Sequence, residues 1–255
     1  MTPLRSTVLA RLRVLRALHP ASPNQTLWLF DLDNTLHDCS KGIFKAIDTA
    51  MANAVASTLG MNLDQANVIR KRYWQRYGAT VIGMVRHHAV NPHTFLAESH
   101  NFDAAALVHA EYGLRRSLQR LKGRKVLLTN APLKYAREVL QALNILHLFD
   151  GLWAIDHMHL QGSMKPKPSP ALMHQLLAEL AISPRRIVLV EDTLRNLKAA
   201  RRARMKTVHV YHPGTPFSSA HKGRDQYVDL RVNSIRQLAQ RQHRVLHTPG
   251  KLDHA

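Results

Sequence analysis

Short apolar runs alternate with segments of helix length through the second half of the chain. Four or five apolar residues in a row are typical of a strand that is buried on both faces of a parallel sheet. The pattern therefore predicts an α/β fold built on a parallel, doubly wound sheet. The predicted strands are residues 27–30, 125–128, 151–155, 187–190 and 207–210, with a further short one near 227–232.

The residues between the first two predicted strands carry a different pattern. Apolar residues recur there at spacings of three and four, which indicates amphipathic helices. Gly60 and Gly78 end two of these stretches, as glycines often do at the C-terminal ends of helices. We predict helices at about residues 44–59, 63–77 and 80–88, before the chain returns to the core over 103–122.

These patterns divide the chain into four parts. Residues 27–37 and 121–235 form the predicted α/β core, and residues 38–120 form a helical insertion. Residues 1–26 contain four arginines spaced among leucines and no acid, which predicts a basic N-terminal extension with an amphipathic helix. Residues 236–255 are predicted to be disordered.

The net charge of the chain indicates which kinds of molecule it is expected to bind. Among 255 residues, 36 Lys and Arg stand against 17 acids, a formal charge of +19. Such a surface attracts polyanions, and incidental nucleic-acid binding is compatible with it. The basic residues are scattered, however, without zinc-finger spacing or an aromatic-studded basic run. A basic surface also suits an enzyme that draws a small anionic substrate into its cleft, and we prefer that interpretation.

Cysteine content and hydropathy bear on location. Cys39 is the single cysteine and cannot form an internal disulfide, which fits a reducing compartment. No apolar run approaches the length of a membrane span. We therefore expect a cytoplasmic protein without a membrane partner.

Two acids, Asp31 and Asp33, directly follow the first predicted strand. Residues at i and i+2 of an extended chain point the same way, so these carboxylates would project together from the carboxyl end of the strand. Ligands of open α/β sheets bind at that end. Two such charges require a cation or a retained proton. A helix cap or turn is the alternative, since Asp is favoured in both.

Later strand ends also carry polar groups. Thr129 and Asn130 follow the second strand and could bind a phosphoryl oxygen, or cap the next helix. Glu191 and Asp192 end the strand at 187–190. Adjacent acids supply the oxygen ligands of a hard cation, and beside phosphate chemistry that cation is expected to be Mg²⁺.

A proline-rich segment at 163–170 holds two lysines, Lys165 and Lys167. Its prolines keep the segment extended, so that a lysine fixed there can neutralise a carboxylate and a transferring phosphoryl group. Both lysines fit a Lys-Pro-x-Pro pattern, so the pattern by itself does not choose between them. The alternative is a proline-rich surface loop.

Taken together, these elements resemble the four motifs of the haloacid dehalogenase superfamily of phosphohydrolases. The similarity covers about residues 27–210 and is greatest to bacterial pyrimidine 5′-nucleotidases. The segments that carry it are Leu-Phe-Asp-Leu-Asp-Asn-Thr-Leu-His (29–37), Tyr-Trp-Gln-Arg-Tyr-Gly-Ala-Thr (73–80), Arg-His-His (86–88), Asn-Pro-His-Thr-Phe-Leu (91–96), Leu-Thr-Asn-Ala-Pro (128–132) and Val-Glu-Asp-Thr-Leu-Arg-Asn-Leu (190–197).

The resemblance implies a core of Rossmann-like topology, with the helical insertion as a cap over the site. It implies that Asp31 attacks phosphorus to form an aspartyl-phosphate, and that Asp33 serves as general acid and base. Thr129, Asn130 and Lys167 would hold the phosphoryl oxygens.

The resemblance also implies the metal ligands and the part of the cap that meets the substrate. Mg²⁺ would be bound by Asp31, the Asp33 backbone carbonyl and Asp192, with Glu191 acting through water. Three cap residues are candidates for recognising the rest of the substrate, namely Tyr77, Arg86 and His87.

The activity expected from this resemblance is hydrolysis of pyrimidine nucleoside 5′-monophosphates. The helical cap equally permits a phosphoglycolate or sugar-phosphate phosphatase, or a phosphomutase. A nucleic-acid-binding protein on an inactive core is a further alternative. Dehalogenation is disfavoured, because halide leaves without a proton and would not need Asp33.

Overall fold

A computed structural model describes residues 25–211 and 226–247. Within these residues, six strands form one parallel sheet in the order β3-β2-β1-β6-β7-β8. A short antiparallel hairpin, β4–β5, lies apart from it. The strands are β1 (Leu27–Phe30), β2 (Arg124–Leu128), β3 (Gly151–Trp153), β4 (His159–Leu160), β5 (Ser163–Met164), β6 (Ile187–Glu191), β7 (Lys206–Val210) and β8 (Leu230–Val232).

The α-helices fall into a group between β1 and β2 and a group that alternates with the later strands. They are α1 (Ile43–Leu59), α2 (Leu63–Tyr77), α3 (Thr80–His88), α4 (Pro92–Ser99), α5 (Leu114–Arg120), α6 (Leu133–Ala142), α7 (Pro170–Leu180), α8 (Leu194–Arg202) and α9 (Ile235–Leu246). Short 3-10 turns occur at Cys39–Lys41, Ala105–Leu107, Leu146–Leu148, Ile155–His157 and Pro184–Arg186. None of the helices in the described part of the chain combines the length and apolar character needed to span a membrane.

The sheet is buried between two layers of helices. Alternate side chains of β1 enter different clusters, with Trp28 and Phe30 on one face and Leu27 and Leu29 on the other, as the two-residue period of a strand requires. The first face packs on α5, α6 and α9, and the second on α7 and α8. The predicted parallel α/β core is confirmed.

Helices α1 to α4 share a third cluster of buried residues. The predicted helices at 63–77 and 80–88 are confirmed, and Gly60 and Gly78 both adopt the left-handed conformation at helix ends. By contrast, Leu114 and Leu118 of α5 pack in the cluster that covers the sheet. The limits 38–120 for a cap remain a prediction, because the end of that range packs with the core.

Two predictions of secondary structure are wrong. The disorder predicted for residues 236–255 is wrong for residues 236–246, which lie in α9, where Ile235, Leu238 and Val245 are buried. The apolar face of this helix covers the sheet, which a compositional argument could not detect. Residues 248–255 lie outside the described part of the chain. The strand predicted at 151–155 ends at Trp153, and the chain turns into the 3-10 segment Ile155–His157. The predicted N-terminal helix lies outside the described residues.

Candidate active site

The carboxyl ends of β1 and β6 bring together three carboxylates and one lysine. β1 and β6 are neighbours in the sheet, so the residues that follow them meet at one edge. Lys167 Nζ donates to Asp31 Oδ1 at 2.6 Å and to Glu191 Oε2 at 2.7 Å. Asp31, Glu191 and Asp192 each place a carboxylate oxygen within 4.8 Å of the others. Of the two candidate lysines, it is Lys167 whose ammonium group enters this acid cluster.

The pKa values in the acid cluster reflect an excess of negative charge. Burial and the charge of Glu191 raise the pKa of Asp31, although the Lys167 charge acts in the opposite direction. Burial and the charges of Glu191 and Asp31 raise the pKa of Asp192. Burial tends to raise the pKa of Glu191 as well, but the charge of Lys167 acts against it and the pKa of Glu191 is lowered. Asn196 Nδ2 and the Thr193 backbone N–H also donate to Glu191, at 2.9 and 3.0 Å. Glu191 is therefore the carboxylate whose ionised form is best stabilised.

The donor set of the acid cluster suits a hard divalent cation. One lysine cannot balance three carboxylates, and the raised pKa values of Asp31 and Asp192 show that the remaining charge is unfavourable without a proton or a cation. Oxygen ligands of this kind are those that Mg²⁺ prefers. Because protein donors already occupy both oxygens of Glu191, Asp31 and Asp192 are the side chains best placed for direct coordination.

The Asp33 carboxylate has partners other than the acid cluster. Its Oδ1 accepts hydrogen bonds from His37 Nε2 at 2.9 Å, Tyr135 Oη at 2.8 Å and Cys39 Sγ at 3.4 Å. Burial tends to raise the pKa of Asp33, but these bonds outweigh it and the pKa is lowered. The carboxylates of Asp31 and Asp33, which were predicted to project together, thus have different partners and belong to different groups.

The end of β2 supports the proline-rich segment 163–170, called the lysine loop below because it carries Lys167. Asn130 Nδ2 donates to the Lys167 carbonyl and its Oδ1 accepts from the Lys167 backbone N–H, both at 2.9 Å. A carboxamide nitrogen carries a second hydrogen, which can still serve a substrate oxygen. Thr129 Oγ1 accepts from the Ala131 backbone N–H at 3.0 Å, which leaves the hydroxyl hydrogen as a donor. The structure thus joins Asn130 to Lys167 across 37 residues of sequence.

The candidate cap residues lie beside a cavity of about 420 Å³ next to the lysine loop. Tyr77 and Arg86 line it, and the Arg86 guanidinium lies 5.3 Å from the centroid of the Tyr77 ring. His87 Nε2 shares a hydrogen bond of 2.7 Å with Tyr77 Oη. Gly78, just after α2, is so close to the loop that a Cβ there would lie 3.1 Å from the Lys167 carbonyl oxygen. The end of α2 therefore contacts the lysine loop directly.

Sequence reasoning missed the neighbours of Asp33. His37 lies in the segment 29–37, and its i, i+4 spacing from Asp33 in a turn is the local signal that could have indicated this bond. Tyr135 reaches Asp33 from 102 residues away, and nothing local in the sequence indicates that contact.

The parallel sheet and the acid cluster at its carboxyl edge define an α/β protein whose site suits a hard cation and phosphate chemistry. A model of the haloacid dehalogenase-like hydrolase family matches residues 26–204, which is more than half of the chain. The chain belongs to the haloacid dehalogenase-like hydrolases.

Individual relatives are similar at lower identity. N-acetylmuramic acid 6-phosphate phosphatase of Pseudomonas aeruginosa is 27% identical over 79% of this chain and 89% of its own. Phosphate metabolism protein 8 of Saccharomyces cerevisiae is 27% identical over 51% of this chain, and the match spans only 43% of that protein. The crystal structure of a phosphatase of the same superfamily from Thermococcus onnurineus superposes with a TM-score of 0.58, at 17% identity, over 84% of this chain and 96% of that one.

Proposed function

We propose that the protein is a phosphomonoester hydrolase that works through an aspartyl-phosphate at Asp31. The observation that carries the proposal is the contact of 2.6 Å between Lys167 Nζ and Asp31 Oδ1 in the acid cluster. A cation fixed at that distance orients the carboxylate and lies where a transferring phosphoryl group would develop charge. Covalent catalysis by a carboxylate divides a difficult hydrolysis into two easier displacements.

In the first displacement the Asp31 carboxylate attacks phosphorus, and the bond from phosphorus to the leaving oxygen breaks. Asp33 gives its proton to that oxygen. In the second displacement Asp33 takes a proton from water, whose oxygen attacks phosphorus and releases inorganic phosphate from Asp31. The lowered pKa of Asp33 favours its ionised form, which the second step needs, so the first step proceeds through the minor, protonated form of Asp33.

Asp31 and Asp192 would hold Mg²⁺ directly, with Glu191 supporting through water and the Asp33 carbonyl as the further predicted ligand. When bound, the cation supplies charge neutralisation for the carboxylates and the phosphoryl oxygens. Lys167, Thr129 and Asn130 position the remaining oxygens. The protein would act in the cytoplasm, where its single cysteine stays reduced.

The substrate we propose first is a pyrimidine nucleoside 5′-monophosphate. The similarity of the cap segments at 73–80 and 86–88 to those of pyrimidine nucleotidases supports it. In the structure these segments place Tyr73, Tyr77 and His87 in ring contact, with the Tyr73 and His87 rings stacked at 5.3 Å between centroids. Aromatic faces of this kind stack on planar bases.

A second candidate is a sugar phosphate that carries a carboxylate. Four cationic side chains line the cavity, namely Arg76, Arg86, Lys165 and Arg195, and none of the described residues that line it is acidic. Such a lining favours a leaving group with a negative charge of its own. The Pseudomonas aeruginosa relative is named for a phosphate ester of this class, N-acetylmuramic acid 6-phosphate.

Phosphate release from a substrate panel tests both proposals. The panel holds UMP, CMP, AMP, GMP, N-acetylmuramic acid 6-phosphate, phosphoglycolate and neutral sugar phosphates, each with Mg²⁺ and with EDTA. Preference for UMP and CMP supports the nucleotidase, and preference for the acidic sugar phosphate supports the second candidate. Asp31→Asn protein is the control, and we expect it to release no phosphate. Full activity of that variant would contradict the covalent mechanism, and retention of the phosphoryl group on the product would indicate a mutase.

A further inference from the structure

We propose that Asp33, His37 and Cys39 form a second metal site, which binds Zn²⁺ or another soft divalent transition metal. This site lies in the loop after β1 and is separate from the acid cluster of Asp31, Glu191 and Asp192. Its existence does not depend on the proposed phosphatase activity. Only the effect of the bound metal on turnover rests on that proposal.

The three candidate ligand atoms form a compact triangle. His37 Nε2 lies 2.9 Å from Asp33 Oδ1, Cys39 Sγ lies 3.4 Å from the same oxygen, and Sγ lies 3.6 Å from His37 Nε2. Bond lengths to tetrahedral zinc imply that such ligand atoms lie about 3.3–3.6 Å apart. The triangle therefore needs an expansion of a few tenths of an ångström along one side to hold the ion.

The triangle is fixed by its own loop. Leu36 and Thr35 backbone N–H groups both donate to the Leu32 carbonyl, at 2.9 and 3.2 Å, and close the turn that brings His37 back to Asp33. The Cys39 backbone N–H donates to Asn34 Oδ1 at 3.1 Å. Because all three ligands lie within seven consecutive residues, little chain entropy remains to be lost on binding.

The ligand set selects the metal. A thiolate with an imidazole suits Zn²⁺ and other soft or borderline ions, whereas Mg²⁺ prefers oxygen ligands. Binding releases the thiol proton of Cys39 and requires neutral His37 with its proton on Nδ1. The hydrogen bonds that His37 and Cys39 now donate to Asp33 are replaced by bonds to the metal. The Asp33 side chain is 26% exposed, which gives an ion a route to the otherwise buried pair.

A metal in this site would stop turnover in a particular way. Coordination engages the carboxylate of Asp33, which could then neither give a proton to a leaving group nor take one from water. Zinc that merely replaces Mg²⁺ in the acid cluster would act differently, because that competition does not involve Cys39.

Cobalt titration of the full-length protein tests the site without reference to activity. Cys39 is the only cysteine, so a near-ultraviolet thiolate-to-cobalt charge-transfer band can come from no other residue. With Mg²⁺ in excess to saturate the acid cluster, we expect one equivalent of Co²⁺ to give this band and Zn²⁺ to abolish it. Asp192→Asn, altered only in the acid cluster, should keep the band.

Cys39→Ser is the informative variant. It should lose the band and bind Zn²⁺ more than about 100-fold more weakly, since loss of a ligand costs more than loss of an outer-shell partner. If the protein hydrolyses a phosphate ester, Zn²⁺ should inhibit the wild-type enzyme but not Cys39→Ser, each compared with its own rate without Zn²⁺. Absence of the band from wild-type protein would overturn the proposal, and so would equal Zn²⁺ affinity in folded Cys39→Ser. The wild-type spectrum decides even if the variant fails to fold.

Discussion

At the scale of single residues, Lys167 is the one cation among residues 25–211 and 226–247 that is buried with the carboxylates of the acid cluster. Burial opposes its charge, yet Asp31 and Glu191 raise the pKa of Lys167 above its ordinary value. Lys167→Met should lower kcat by about 10²–10³-fold, the cost of removing one preorganised stabilising group. In EDTA it should also lower the free energy of unfolding by about 3 kcal/mol, because buried charges lose their partner.

Lys165→Met is the matched control for this prediction. Lys165, like Lys167, is followed directly by a proline. It lines the cavity and lies outside the acid cluster. Its loss should leave kcat within about twofold, since surface substitutions change free energies by only about 0.5 kcal/mol, and should raise KM for an anionic leaving group. Steady-state kinetics and urea unfolding give both quantities. Equal loss of kcat in the two variants would contradict the assignment of Lys167.

At the scale of elements, the packing of α2 on α3 depends on Gly83. A Cβ at this position would lie 2.1 Å from Cγ of Tyr73, so the Tyr73 side chain occupies the space that any other residue would need. Gly→Ala in a helix ordinarily stabilises by about 1 kcal/mol. Here we expect Gly83→Ala to destabilise by about 1–3 kcal/mol through overpacking, and to raise KM, because Tyr73 stacks on His87.

The clash itself can be tested by removing its partner. In Gly83→Ala/Tyr73→Ala the new methyl group no longer meets a ring, so part of the lost stability should return. Urea unfolding of the two single variants and the double variant gives the coupling energy between the positions. If the losses in free energy of unfolding of the two single variants simply add up in the double variant, the effect of Gly83→Ala does not come from the clash with Tyr73.

At the scale of the whole molecule, acid should weaken the folded state through His100. Its ring contacts Tyr135 of the core at 5.5 Å between centroids, and burial lowers the pKa of His100 to about 4. At His100, the unfolded chain therefore binds more protons than the folded chain between about pH 4 and 6.5. The stability that neutral, buried His100 contributes above about pH 6.5 is lost as the pH falls towards 4. The loss is at most about 1.4 kcal/mol per pH unit.

His100→Asn isolates this contribution. The raised pKa values of Asp31 and Asp192 act in the opposite sense, since protonation favours their buried forms, but they are common to both proteins. From neutral pH to about pH 5, the free energy of unfolding should decrease more in wild-type protein than in the variant. An equal fall in both would show that His100 does not titrate differently on folding.

The hydrophobic pattern was sufficient to predict the parallel sheet and helices α2 and α3, because burial on two faces or along one stripe imposes the periods that the pattern shows. It failed at α9, where the apolar stripe is short and lies next to a polar terminal segment. It also could not fix where the cap ends, because α5 is a helix that belongs with the sheet.

For the candidate site, the sequence by itself determined which polar residues end the strands and therefore meet at one edge of the sheet. Asp31, Thr129 and Glu191 follow from that rule and from their motifs. Only the tertiary structure decided their partners: which lysine enters the acid cluster, that Asn130 holds its loop, and that Tyr135 reaches Asp33. Side-chain contacts between distant segments depend on how helices pack and loops close, and local periodicity carries no information about either.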